Sequence, residues 1–324
     1  TLHPTAYGTG THPAFIRSDD TERNEIFIGK YLASLMNGRA VSLPGRGPAN
    51  YMNWDTSRGY CTAKGAGWDL TPNDFWSVAA LQSRAGGTMP TGNNNYGRDV
   101  GNYDQQGLRQ DWLAPGSGGM ARTLTGSGPT AWNHDGTPFG ISDMNGNVWE
   151  WQAGLRMVDG EIQIIPDCIG KDHGVSSTAW KSILPDGSLV APGTAGTLKF
   201  DSTLAPSDDG TTQSLGTPVL RDVMVNAPDP TWAWGDGSYD IAYGFFESMT
   251  SDVAVPDLLK KLAIFPALTG YADDLLYIRN YGERFPLRGG SWSNTSIAGA
   301  FCLSLHFPQP NENTAFGFRP AYAI

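Results

Sequence analysis

Three thiols, five imidazoles and a closing segment of mixed polar and aromatic residues are the places where this sequence could do chemistry. The cysteines are Cys61, Cys168 and Cys302. An odd number, far apart and without a CxxC pair, makes neither a disulfide framework nor a zinc site. Three buried or incidental thiols are expected. The histidines are His3, His12, His134, His173 and His306, with no His-x-x-x-His spacing to hold a metal from one helix face. Lys171-Asp172-His173 reads as a polar loop. No Gly-x-Ser-x-Gly elbow, Walker loop or Gly-x-Gly-x-x-Gly turn occurs. Among 32 acidic residues a glycosidase-type carboxylate pair stays open, because sequence does not fix its spacing in space.

The segment 291–319 carries a different signal. Phe301, Leu303 and Leu305 alternate with Cys302, Ser304 and His306, as in a strand with one face on the core and one outward. The set expected to face outward is a thiol, a hydroxyl and an imidazole, with Phe307 beside them. A mixed patch with an aromatic ring suits a binding surface. Ser293, Asn294, Thr295 and Ile297 precede it in a loop, and Asn311, Asn313 and Ala315 follow in another. These eleven positions form the expected ligand face. The alternative is an ordinary solvated strand between two loops.

The elements that must position this face are short. Residues 1–24 read as an extended lead-in, with Phe15-Ile16 as an edge strand, and 25–32 as a strand. Residues 43–53 read as a loop. Asp55 to Lys64 reads as a helix capped by Asp55. A second helix is expected from a Thr71 cap, with Pro72 in its first turn, to Gly86. Residues 86–110 form a Gly/Asn-rich loop that needs side-chain anchors to stay ordered. Residues 155–165 predict a hairpin about Asp159-Gly160. Residues 166–270, interrupted by Trp232 and Trp234, read as an irregular insertion, with a short helix at 256–262. Tyr277–Asn280 reads as a strand.

Composition sets outer limits. The chain has 324 residues, 40% hydrophobic and 17% charged, with 11 Trp, 12 Tyr and 13 Phe, which is a globular composition. The 41 Gly and 22 Pro imply many turns. Net charge is −10 and there is no basic run, so nucleic acid and anionic membrane surfaces are not expected partners. No apolar stretch is long enough to insert in a membrane. Beginning at Thr1 with no basic-plus-apolar leader, the sequence reads as a trimmed chain, and what lies upstream stays open.

Three motifs then stand in order: Gly146-Asn147-Val148-Trp149-Glu150-Trp151, Arg288-Gly289-Gly290-Ser291-Trp292 and Gly317-Phe318-Arg319. With Phe27–Tyr31 and the helical region 71–85, they resemble the formylglycine-generating-enzyme-like branch of the C-type lectin fold. The resemblance spans most of the chain except 166–270. Physical reading of the same residues gives them structural roles. Trp149, Trp151 and Trp292 anchor a fold short of regular structure. Gly289 and Gly290 permit positive φ or close approach. Arg288 belongs to the same motif, and Arg319 pairs with a carboxylate or carbonyls. In the family the 146–151 turn can hold calcium, so Asn147 and Glu150 become candidate ligands; the other reading is hydrogen bonds that fix the turn. The family's thiol-oxidising enzymes need two neighbouring cysteines in the C-terminal segment, where only Cys302 lies, and its iron enzymes need a His-rich motif that is absent.

Ser291 to Arg319 also resembles the variable region of proteins diversified by retroelements, which use a C-type lectin fold. There, mutagenesis strikes adenines in AAC or AAT codons. It yields many residues but never Trp, Met, Gln, Glu or Lys. The resemblance therefore implies that Gln309 and Glu312 are fixed.

Together these readings predict one α+β C-type-lectin-like domain over 1–324, with the insertion at about 166–270 and the variable region at 291–319. The expected function is non-catalytic recognition of a protein or cell-surface ligand, on a virion tail or an extracellular cell surface. No cofactor is required, and a structural calcium stays open. Two alternatives stay open: a formylglycine-generating-type oxidase or degenerate enzyme on the same fold, and a structural virion or surface component.

Overall fold

Residues 4–205, 214–227 and 241–324 are described in the computed structural model of the chain, and the structural statements below concern them. His3, Trp232 and Trp234 lie outside the described residues. Up to residue 86 the chain forms α1 (Pro4–Tyr7), β1 (Phe27–Ile28), β2 (Ala33–Met36), β3 (Arg39–Ser42), α2 (Trp54–Thr62), β4 (Trp68–Leu70) and α3 (Asn73–Gly86). The expected 25–32 strand shrinks to β1, because the carbonyls of Gly29 and Lys30 accept from Arg319 instead. Pro13–Phe15 is a 3-10 turn, with only an isolated bridge from Ile16 to Glu22 where an edge strand was expected.

Both long helices start differently from expectation. Asn53, not Asp55, caps α2, its Oδ1 accepting from Thr56 N at 2.9 Å. Asp55 instead lies in the first turn, where a negative charge favours the helix dipole. Thr71 does not cap α3; its hydroxyl donates to Arg319 O at 2.9 Å, and Pro72 takes the cap position. Gly87 ends that helix in the left-handed conformation, φ 69°.

From residue 149 the chain is mostly strand: β5 (Trp149–Trp151), β6 (Leu155–Val158), β7 (Glu161–Ile164), β8 (Lys181–Ile183), β9 (Leu189–Val190), β10 (Lys199–Ser202), β11 (Pro218–Arg221), β12 (Ala242–Phe245) and β13 (Thr250–Ser251). After α4 (Asp257–Lys261) come β14 (Leu275–Ile278), β15 (Glu283–Arg288), β16 (Leu303–Phe307), β17 (Phe316–Gly317) and β18 (Pro320–Tyr322). The hairpin β6–β7 turns at Asp159-Gly160 with both φ positive, 46° and 81°, as a two-residue primed turn requires.

Thirteen strands form one sheet, whose main path runs β12-β14-β16-β15-β6-β7-β10-β11-β13. The sheet curls round. Leu215 N donates to Ile241 O and Tyr243 N to Gly216 O, so the stretch leading into β11 also bonds the outer edge of β12. Leu155, Met157, Ile162, Phe200, Leu220, Ala242, Leu276, Leu303 and Leu305 lie in the core this curl helps to enclose. The expected insertion is therefore woven into the core, since Phe200, Leu220 and Ala242 belong to it. A separate three-stranded sheet, β1-β18-β4, brings the start and end of the chain together. The architecture is mixed α and β, mostly sheet. No helix among the described residues is long and apolar enough to cross a membrane.

Arg319 and Glu150 join these parts. Arg319 Nε and Nη2 donate to the two Glu150 oxygens at 2.5 Å each, with neither side chain exposed. Removing one member of such a pair leaves an uncompensated buried charge, which costs about 3–5 kcal/mol. Arg319→Ala should lower unfolding stability by about that amount in a denaturant titration; a loss near zero would show that the pair is dispensable.

Candidate ligand-recognition face

The turn at 146–151 is fixed by its own side chains. Asn147 has φ 63° and is fully buried. Its Oδ1 accepts from Thr123 N at 3.0 Å, and its Nδ2 donates to Thr123 O at 3.2 Å. Both Glu150 oxygens are engaged by Arg319. Calcium takes roughly six to eight oxygens. A turn whose amide and carboxylate are already satisfied does not fit it, so the candidate assignment of Asn147 and Glu150 as ligands is corrected to turn fixing. Among the described residues no group of three or more His, Cys, Asp or Glu is placed to hold a metal.

The next motif aims the chain at the surface. Arg288 is buried and donates to Asn73 Oδ1 at 2.7 and 3.0 Å and to Ala263 O at 2.9 Å. Gly289 and Gly290 follow with φ 90° and 81°. A Cβ on Gly290 would meet Ala298 Cβ at 2.5 Å, so a side chain is excluded there. Trp292 then packs with Leu32, Ala121 and Val148. Its N–H donates to Asn147 O, its carbonyl accepts from Tyr96 N at 2.7 Å, and Arg122 lies over its ring at 5.6 Å.

Three surface segments meet around this anchor. Ser293 and Thr295 are exposed, and Asn294 and Ile297 half-buried. Thr295 N donates to Asn94 O at 2.8 Å, which seats the loop on the Gly/Asn-rich stretch. That stretch has the anchors it needs: Asn94 Oδ1 accepts from Val100 N, and Asp99 Oδ1 from Gly101 N and Asn102 N. Asn294 Oδ1 accepts from Ser291 N and Oγ at 2.8 Å, so this side chain shapes the turn.

The 308–315 loop is braced against the start of α2. Gln309 Nε2 donates to Asp55 Oδ1 at 2.7 Å, and Asn53 Nδ2 to Glu312 Oε1 at 3.3 Å. Backbone bonds from Trp54 to Gln309 and from Tyr51 to Asn313 reinforce this. Asn313 is exposed, and Asn311 and Ala315 are half-buried. Ala315 packs both on the Trp292 cluster and on the cluster holding Trp149, Trp151 and Phe316, and so links the two loops.

β16 departs from the expected one-sided strand. Phe301, Leu303 and Leu305 are fully buried as the alternation requires, but Cys302 and Ser304 are buried too, at 0% and 2% exposure. They are not ligand contacts. β16 runs between β14 and β15, and Tyr277 and Phe307 pack on the cluster that holds Cys302. Burial pushes the Cys302 thiol well above its ordinary pKa. A register shift explains where the surface resumes. Between the pairs Phe285↔Phe307 and Leu287↔Ser304, β16 carries one residue more than β15. Such a bulge re-aims side chains. It puts Phe307 against Phe316, ring centroids 4.7 Å apart, with His306 stacked on it at 4.1 Å.

Three aromatic residues of this sheet region were missed from sequence. Tyr277 pairs with Ser304 in register, and its ring lies 6.1 Å from Trp149 and 6.2 Å from Tyr243. Tyr243 and Phe245 are about half exposed on β12. The alternation Ala242-Tyr243-Gly244-Phe245 was a readable strand signal, but its pairing with β14 was not.

The chain matches no known protein family and no curated protein in sequence.

Two outcomes are expected. Cys61, Cys168 and Cys302 are all buried and unpaired, so a thiol reagent should label none of them until the protein is unfolded; rapid labelling of Cys302 would contradict its placement. Trp292→Ala should cost about 3–5 kcal/mol in a chemical melt, as for other buried tryptophans, and an unchanged midpoint would remove Trp292 as the anchor of the face.

Proposed function

We propose that the chain is a C-type-lectin-like recognition protein whose 291–319 surface is diversified by a retroelement and binds a protein or cell-surface ligand without catalysis. The observation that carries this reading is a division of labour. Gln309 and Glu312, which adenine-directed mutagenesis cannot produce, brace the loop against Asp55 and Asn53. Ser293, Thr295 and Asn313 are exposed, and Ile297, His306, Phe307 and Asn311 half-buried, on a backbone held from elsewhere. Substitutions at the three exposed positions usually cost under about 0.5 kcal/mol. A stiff frame with replaceable side chains is the arrangement a diversified binder needs.

The surface chemistry agrees with recognition. Phe307, His306 and the neighbouring Tyr277 and Tyr243 supply aromatic area that loses little entropy on binding, and Ser, Thr and Asn around them supply adaptable hydrogen bonds. The oxidase alternative needs an accessible, acidic thiol. Cys302 is buried and its thiol is pushed up, so recognition is the preferred reading. Adsorption of a virion tail or a cell surface to its target is the use we assign to it, with no nucleic acid partner, no membrane insertion and no required cofactor.

Binding of the labelled protein to cells and envelopes from its source habitat tests this reading. Paired alanines at His306 and Phe307 should weaken binding about 30-fold or more, as expected for central aromatic contacts. Ser304→Ala should leave binding intact, because its hydroxyl is buried with no hydrogen-bond partner among the described residues. Undiminished binding by the double variant would sink the proposal.

A further inference from the structure

A cavity of about 460 Å³ lies apart from the 291–319 segment, where the start of α3, the Pro13–Phe15 turn, the end of β7, β9 and α4 meet. Its volume falls among those of small-ligand sites. Ile16, Ile164, Ile165, Val190, Leu258 and Leu262 supply apolar walls. One polar group there has bonding capacity to spare. Asp74 Oδ1 accepts from Phe75 N at 2.9 Å, while its Oδ2 has no hydrogen-bond partner among the described residues.

The other charges around the cavity are engaged or in water. Asp167 is held by Arg23 and Ser18, Arg17 donates to Glu22 O, and Lys181 donates to Thr178 O. Asp20 is exposed to solvent. Burial pushes the Asp74 carboxyl up to about 7, with Arg23 pulling it down and Asp167 pushing it further up. A cation docked on Oδ2 would favour the ionised form that burial disfavours.

We propose that this cavity binds a small amphipathic amine, with its ammonium against Asp74 and its hydrocarbon body against the Ile16–Leu262 walls. A carboxylate head placed at Oδ2 would face Asp74 and the neighbouring Asp167 and be repelled there, although Arg17 and Lys181 also line the cavity. An alcohol would fill the walls and could donate to Oδ2, but would bring no charge to it. The site shares no residue with the recognition face and stands or falls independently of it.

Calorimetric titration with phenethylamine, 2-phenylethanol and phenylpropionate, three ligands of like body and different head, tests the assignment. At pH 8 the wild type should bind the amine at least about tenfold more tightly than the alcohol, since its hydrogen bond to Oδ2 joins two opposite charges, and phenylpropionate weakest. Asp74→Asn, which keeps the oxygen that accepts from Phe75, should abolish the preference for the amine. Val190→Phe, filling the cavity from β9, should weaken all three ligands. Lowering the pH from 8 to 5 should weaken amine binding in the wild type as Asp74 takes up its proton, but not in Asp74→Asn. Absence of saturable amine binding to the wild type, or equal amine affinity in the wild type and a folded Asp74→Asn, would overturn the proposal. If Asp74→Asn does not fold, equal binding of amine and alcohol by the wild type would do the same.

Discussion

The buried ion pair between Glu150 and Arg319 is the constraint on which the rest of the structure depends. Arg319 reaches four places at once: the Glu150 carboxylate on β5, the carbonyls of Gly29 and Lys30 after β1, and Ser142 O ahead of the 146–151 turn. Its own carbonyl accepts from Thr71 N and Oγ1 just before α3. One residue near the C-terminus, through its side chain and its own carbonyl, thereby fixes the entry strand, the approach to the central turn and the start of the long helix. Ion pairs of this kind add little net stability compared with apolar packing, but are costly to break singly. Here that sensitivity defines one arrangement of short elements that otherwise have little regular structure to hold them.

A frame held from within leaves its surface free. The loops at 293–297 and 308–315 are held largely by groups outside themselves, Asn94 O, Asn53, Asp55 and the packing of Ala315 on the Trp292 cluster, with Asn294 Oδ1 and Asn313 Oδ1 closing turns of their own. Asn294 and Asn313 apart, the side chains between those anchor points carry little of the fold. Dependence of backbone on a few fixed residues, and independence of the rest, is the physical content of the diversified-surface reading.

How much was legible in the sequence follows from the range of the interactions involved. Local signals read well: the Asp159-Gly160 hairpin, the 71–86 helix, the short helix near 257–261 and the glycines at 289 and 290 all arise from a few neighbouring residues. Asn37-Gly38, which joins β2 to β3 with φ 50° and 70°, was an equally local turn signal that went unread. What failed was long-range. The alternation in 301–306 identified the core side of β16, but nothing local says that the other side is covered as well. That covering comes from Tyr277 and from the cluster around Trp149, and the bulge before Phe307 is set by pairing with β15. The Glu150 carboxylate read as a candidate calcium ligand for the same reason, since its partner lies 169 positions away. Residues 166–270 read as irregular because their strands are two to four residues long and several, such as β11 with β13 and β12 with β14, find partners at a distance.

The central claim is that selection changes the exposed positions of 291–319 while the frame stays constant. Deep sequencing of the 3′ end of the gene and its flanks across the source population measures this directly. The account predicts differences at Ser293, Thr295, Ile297, His306, Phe307, Asn311 and Asn313, derived from adenines, beside a near-copy template and a reverse transcriptase gene. It predicts constancy at Trp292, Gln309, Glu312 and Arg319. An invariant segment with no template nearby, or differences spread over buried and exposed positions alike, would contradict it and leave a fixed-specificity protein on the same frame.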